Sequence, residues 1–389
     1  MYRVLLVTLI TSSVTLGDSP KINFWDQHRK GANGDIADAN DAWFKAAAGF
    51  GIEWVRLSPA GIKPTNRDPL IGNADAFAGI PPADLKQIVT ALDTAQEHNI
   101  KVVLTVFSLP GCRWKQQNDN KFDYRLWQDK KYHAQSAAFW KELASAVKDH
   151  PAIMGYNLLN EPHPERAEGI EEPGKKFNEW RARTRGTAAD LNVFYHTVTA
   201  AIREVDSKTP IILDGCFHAS PHGLQVLKPT DDPLEMYAFH FYSPWNFTTF
   251  RVNKGRFEYP AKMPGKMQKP EPWTPEKMKE QFGPAVRWAK DNKVPRSRIL
   301  LSEFGCDRRV KGAEPYLRDV LKAANKQQYH WAFYSFRSSE WDGMDYELGP
   351  NKLGWKYWQQ REQGKPHETL IERKNTPLWE VIRSELKKR

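Results

Sequence analysis

Cysteine is scarce: the 389 residues contain three, Cys112, Cys216 and Cys306. Three thiols cannot build a disulfide scaffold, allow one bridge at most, and match no CxxC zinc spacing; buried, unpaired cysteines are the expectation. Beyond the N-terminal segment, no apolar run approaches the roughly 20 residues a membrane helix needs, so stable membrane insertion is not expected. No glycine-rich phosphate turn follows a strand. The nearest approach, GIEEPGKK at 169–176, lacks both the closing Ser or Thr and a leading strand. Internal repeats, low-complexity tracts and dividing linkers are also missing. Basic blocks are rare too: the formal charge is +10, but lysine and arginine are scattered among acids apart from short clusters such as the terminal ELKKR. This reads as a solvated basic surface with no nucleic-acid partner.

What is present is a globular composition, 40% hydrophobic and 27% charged, with 15 tryptophans. Indoles suit core packing and also stacking against flat apolar ligand faces. The first residues, MYRVLLVTLITSSVTLGDSP, set Arg3 before a short apolar stretch that closes on Thr15 and Gly17. That layout is a secretory signal over 1–17, with a secreted or periplasmic mature chain of 18–389.

Eight short β-rich runs follow: KINFW (21–25), EWVRLS (53–58), KVVLTVF (101–107), GYNLLN (155–160), IILDG (211–215), MYAFHFY (236–242), ILLSEFG (299–305) and HWAFYSF (330–336). Helical spacing lies between them, as in Leu85, Ile88, Val89, Leu92 and Ala95, or Leu317, Val320, Leu321 and Ala324. Apolar strands alternating with helices imply parallel strands covered on both faces. Eight such units predict a (β/α)8 TIM barrel, here one domain with long polar connections at 163–190 and 244–272, after strands four and six.

In such a barrel the C-terminal ends of the strands share one mouth. Strand four, YNLLNEP, ends on Asn160 and Glu161; strand seven, LLSEFG, ends with Glu303. A carboxylate closing an apolar strand is desolvated and held there by a partner or a task. Two facing glutamates suit glycoside hydrolysis, one donating a proton to the leaving oxygen and the other attacking the anomeric carbon.

These two motifs resemble the acid/base and nucleophile strands of the glycoside hydrolase family 5 cellulases, from about residue 21 to the C terminus. The resemblance implies Glu161 as acid/base, Glu303 as nucleophile and Asn160 on the sugar 2-hydroxyl. It also draws in Arg56 of WVRLS and His240 and Tyr242 of FHFYS. Arg56 would keep the nucleophile ionised, Tyr242 would orient it through its phenol, and His240 would bond substrate or bridge to Glu161. Two departures stand out. Phe107 occupies the place of the family's strand-three histidine, and the platform tryptophan of strand eight falls at Tyr334, with Trp331 as the rival. After strand eight, Trp341 could stack on sugar while Asp342 and Asp345 bond hydroxyls.

The resulting expectation is a monomeric, cofactor-free, retaining β-glycoside hydrolase acting on a carbohydrate, first a β-1,4-glucan. β-Mannanase, exo-β-1,3-glucanase or transglycosylase activity are alternatives, as is an inactive carbohydrate-binding barrel.

Overall fold

The computed structural model describes residues 19–264, 269–338, 343–365 and 369–388. Eight parallel strands close into a barrel: β1 (Lys30–Asp35), β2 (Trp54–Ser58), β3 (Lys101–Thr105), β4 (Ile153–Asn157), β5 (Ile211–Asp214), β6 (Glu235–Phe241), β7 (Ile299–Phe304) and β8 (His330–Phe333), with β8 pairing back onto β1. Helices connect them on the outside, and the apolar periods named above fall on Pro82–Glu97 and Ala313–Gln327.

Each strand sorts its side chains with period two. Val55, Leu57, Val102, Leu104, Ile211, Leu213, Phe239, Phe241, Trp331 and Phe333 face the helices and belong to the large core between sheet and helices. Trp54, Val103, Ile212, Met236, Ala238, Leu300 and Ala332 face the barrel axis and form a separate apolar cluster. One step further along the same strands, the inward positions become Asn33, Arg56, Thr105, Asn157, Asp214 and His240. The barrel interior therefore changes from oil to polar groups along its axis.

The segment KINFW departs from expectation. It is not a strand but a short helix, Pro20–Asn23, running into a single 3-10 turn, Phe24–Asp26. Pro20 fits a helix start and the Ser19 side chain accepts from the Lys21 N–H, so the local chemistry is that of an N-terminal cap. This segment closes the barrel floor: Trp25 is fully buried and its indole N–H donates to the Met154 carbonyl at 3.0 Å. The true first strand, KGANGD, has no β-branched or aromatic residue and so gives no strand signal. Its small residues are required, since a Cβ at Gly31 would meet the Trp54 indole at 2.6 Å.

The 163–190 connection carries a 3-10 turn, Pro164–Glu168, and a helix, Lys175–Thr184. The 244–272 connection carries two one-turn helices and a two-stranded hairpin, Ala261–Pro264 with Pro270–Trp273. The connections after β2 and β3 are also long, which the sequence reading passed over; Arg113 and Arg125 of the second tie it to Asp68 and Asp75 of the first. All three cysteines are free and buried. Among the described residues, no helix is long and apolar enough to cross a membrane.

Candidate active site

Arg56 organises the barrel mouth. Its guanidinium donates to Glu303 Oε1 at 2.5 Å, Asn160 Oδ1 at 2.7 Å, Asn157 Oδ1 at 2.8 Å, Asn33 Oδ1 at 3.2 Å and Thr105 Oγ1 at 3.2 Å. Buried to 2% exposure, it satisfies its fork of donors against five strands or strand extensions. Tyr242 donates its phenol to the other oxygen of Glu303 at 2.9 Å. Glu303 is thus gripped from two sides, and its carboxylate has one orientation.

Glu161 is held differently. β4 stops at Asn157, and the chain runs on irregularly through Leu158, Leu159 and Asn160 to Glu161, whose φ is +48°. A non-glycine residue in the left-handed region is strained by about 1 kcal/mol or more. The Glu161 N–H donates to Asp214 Oδ2 at 3.2 Å, and its Oε1 lies 2.9 Å from His240 Nδ1. His240 Nε2 is buried without a hydrogen-bond partner, 3.7 Å from Asp214 Oδ2. Asn160 points its amide oxygen at Arg56, which turns the amide nitrogen towards the cleft.

Burial lifts both glutamates above the usual carboxyl range, and their neighbours then separate them. The Asp214 charge pushes Glu161 further, to about 8, whereas His240 and Arg56 pull Glu303 back down. Burial also drives His240 below the ordinary imidazole value, against the pull of the Glu303 and Asp214 carboxylates. One carboxyl holds a proton while its neighbour, in direct contact with Arg56, is the better site for negative charge.

Glu161, His240 and Glu303 offer atoms all within 4.8 Å of one another, a spacing that a metal ion could in principle bridge. The Arg56 guanidinium beside Glu303 opposes a cation there. The cleft above the pair, about 610 Å³, is lined by Phe107, Trp114, Asn160, Tyr242, Trp245 and Tyr334 among others. A second lobe of about 330 Å³, lined by Asp35, Arg56 and Ser58, shares Phe107, Trp114 and Tyr334 with it. Aromatic walls and two carboxyls on the cleft floor suit a chain of polar rings with apolar faces.

The family model for the cellulases, glycosyl hydrolase family 5, matches residues 25–340. The chain belongs to this family. Endoglucanase C of Acetivibrio thermocellus is 26% identical over 180 residues, 46% of this chain and 45% of that protein. A β-xylosidase of Phanerodontia chrysosporium is 27% identical over 216 residues, 54% of this chain and 38% of that protein. The chain thus matches less than half of the length of these curated relatives. Among solved structures, a hyperthermophilic endo-β-1,4-glucanase in complex with substrate superposes with a TM-score of 0.62 at 19% identity, covering 94% of this chain and 99% of that one. Thermotoga maritima Cel5A in complex with mannotriose gives 0.61 at 18% identity, covering 90% and 100%. At these identities the structures share the fold.

In this family 5 chain, Arg56, Asn160, Glu161, His240, Tyr242 and Glu303 converge on one mouth, with Tyr334 on the cleft wall. Trp331 is a correction. It is fully buried on the helix-facing side of β8, packed against Phe304, with its indole N–H donated to Asn325. Period two gives the inward places to Ala332 and, past the strand end, Tyr334, so Trp331 cannot stack on a ligand. Asp345 is corrected likewise: it pairs with Arg373 and caps a 3-10 turn at Glu347, so it is not free for hydroxyls. Trp341 and Asp342 lie outside the described residues. Asn33, Asn157 and Asp214 were missed. Asp214 ends the apolar run IILD, the same signal that singled out both glutamates.

Proposed function

We propose that this protein is an exported β-glycoside hydrolase that retains anomeric configuration, with Glu303 as nucleophile and Glu161 as acid/base. The observation carrying this reading is the pair itself: two carboxyls in contrasting surroundings, with one oxygen of each within 4.8 Å of the other. Retaining enzymes hold their carboxyls about 5–5.5 Å apart, inverting ones about 6.5–9.5 Å to admit a water. Glu303, oriented by Arg56 and Tyr242, attacks the anomeric carbon as the C–O bond breaks, and Glu161 gives its proton to the departing oxygen. Glu161, now a carboxylate, takes a proton from the water that attacks the same carbon and releases Glu303. The Asn160 amide bonds the sugar 2-hydroxyl in this reading. The two carboxyls and one water supply every proton and electron pair, so the reading requires no cofactor.

A β-1,4-glucan is the first substrate, supported by the family and by the endoglucanase relatives; β-mannan and β-1,3-glucan follow. The N-terminal signal pattern supports export. An inactive binding barrel is disfavoured because Glu303 is held by Arg56 and Tyr242 while Glu161 meets His240 on the same cleft floor.

Turnover of aryl β-glycosides, soluble β-glucans and mannans, with the anomer of the first-formed product read by NMR, tests the reading. Retention on one glycan, lost in Glu303→Gln, supports it. Inversion, or binding without turnover, overturns it.

A further inference from the structure

Glu161 has a second set of neighbours that the reaction above leaves unused. After β5 the chain turns through Phe217, His218 and Ala219 at φ +55°, +52° and +56°, three successive left-handed residues without a glycine among them. Each is strained by about 1 kcal/mol or more, so the surrounding structure must impose the turn. Gly215 and Gly223 cross so closely that a Cβ on either would meet backbone at 2.2 and 1.9 Å, and the Phe217 N–H donates to buried Glu165 at 3.0 Å.

The product of this turn is the placement of His218, whose Nδ1 lies 3.8 Å from Glu161 Oε2. Its ring stacks on His163 with centroids 4.3 Å apart, and Arg166 Nη1 lies 3.5 Å from its Nε2. The connection after β3 adds Lys115, whose Nζ sits 4.8 Å from the centroid of Phe122; the Arg166 guanidinium sits 5.3 Å from the same centroid. Phe122 packs its edge on His163; Lys115, Phe122, Glu161 and His163 wall a crevice of only about 10 Å³, and Arg166 and His218 lie outside it with side chains about one-third exposed.

The charges here are not balanced. Among the described residues Arg166 makes one ion pair, to Glu171 at 3.2 Å, whose side chain is 70% exposed and whose pairing contributes little; it also acts at longer range on buried Glu165. Lys115 has no carboxylate partner among the described residues. Asp123, in the same recess, is tied to Arg125. Glu165 is buried, its carboxyl lifted to about 7. Crowded by Arg166, His163, His240 and Lys115, and chiefly by burial, the His218 imidazole is driven down to about 3 and stays neutral. Two permanent cations and two imidazoles therefore flank the proton donor. None of them pairs with Glu303, which puts them on the leaving-group side of the bond to be cut.

We propose that Lys115 and Arg166, with the neutral His218 as a hydrogen-bonding neighbour, form a cationic subsite beside Glu161 that takes an anionic group, a carboxylate, sulfate or phosphate, carried by the departing moiety. Opposite charge on this partly exposed rim beside Glu161 favours such substrates through both encounter and binding. The proposal rests on Glu161 as the acid/base.

The probes are 3-carboxyphenyl and 3-carbamoylphenyl β-cellobioside, nearly equal in shape and differing in charge. The wild type is expected to favour the carboxylate in kcat/KM by about tenfold at low salt, with the ratio shrinking as salt rises. The ratio falls to about one in Lys115→Met and Arg166→Met, and Lys115→Arg restores it. The matching sulfate and phosphate esters show which anion fits best. A wild-type ratio of one or less, or a ratio unchanged in both Met variants, overturns the proposal. Calorimetric binding of the two probes separates this from failure of the hydrolase reading: no turnover with preferential binding of the carboxylate sinks the reading alone, and equal binding sinks the subsite.

Discussion

The two ends of the barrel are built from the same eight strands with opposite chemistry. At the floor, Trp25, Trp54, Val103, Ile212, Met236 and Leu300 pack into an apolar cluster with one indole N–H spent on a carbonyl. At the mouth, two to four residues further along the strands, Asn33, Arg56, Asn157, Asp214, His240 and Glu303 fill the same cross-section with charge and hydrogen bonds. The floor gains stability by removing apolar surface from water. The mouth holds buried ionisable groups whose net contribution to folding is small or adverse. The contrast separates what holds the barrel closed from what it does chemically.

That contrast is open to attack from both ends. The largest effect belongs to the mouth: Glu303→Gln should lower kcat by at least about 10⁴-fold whatever the leaving group, with the melting temperature unchanged or raised. Glu161→Gln should cost about 10²–10⁴-fold on substrates with poor leaving groups, and much less in the first step with an activated aryl group, because proton donation matters less as the leaving group improves. Equal losses for both classes would contradict the assignment. At the floor, Trp25→Ala should destabilise the fold by about 3–5 kcal/mol by denaturant titration, while kcat of the folded fraction stays at the wild-type value. A change in kcat would mean that floor and mouth are coupled.

Between these lies Arg56. Arg56→Met removes the positive charge in contact with Glu303, so the nucleophile ionises at higher pH. An opposite charge at this range is worth about 1–3 pH units. The acidic limb of kcat/KM should therefore move up by that amount, and an unmoved limb would show that Arg56 is structural only.

The same axial contrast explains which parts were legible from sequence. The barrel was legible because seven of its strands are apolar runs in alternation with amphipathic helices. Glu161 and Glu303 were legible because each breaks such a run. β1 was not: KGANGD must be small to pass beside Trp54 and Trp43, so tertiary crowding overrides propensity. KINFW reads as a strand because its apolar residues serve the floor, in a helical turn. Trp331 and Tyr334 differ only in parity along β8, which a run of aromatics hides. His218 was beyond reach, since nothing in CFHA announces three left-handed residues in succession.

The smallest expected effect concerns stability and pH at the mouth alone. Glu161 binds its proton more tightly in the folded state, up to about 8, than an ordinary carboxyl does at 4.5. The folded chain then carries more protons than the unfolded chain between those two values, so this group's contribution to stability falls as pH rises across that window. Glu161→Gln, which cannot ionise, should melt higher than the wild type at pH 8, and the gap should close as pH falls towards 4. Measured catalysis should follow the same group, kcat/KM declining as pH rises through about 8 when Glu161 loses its proton. A variant that melts lower than the wild type at pH 8 would show that the His240 and Asp214 contacts of Glu161 hold the mouth together, and the division between a stabilising floor and a costly mouth would fail at that residue.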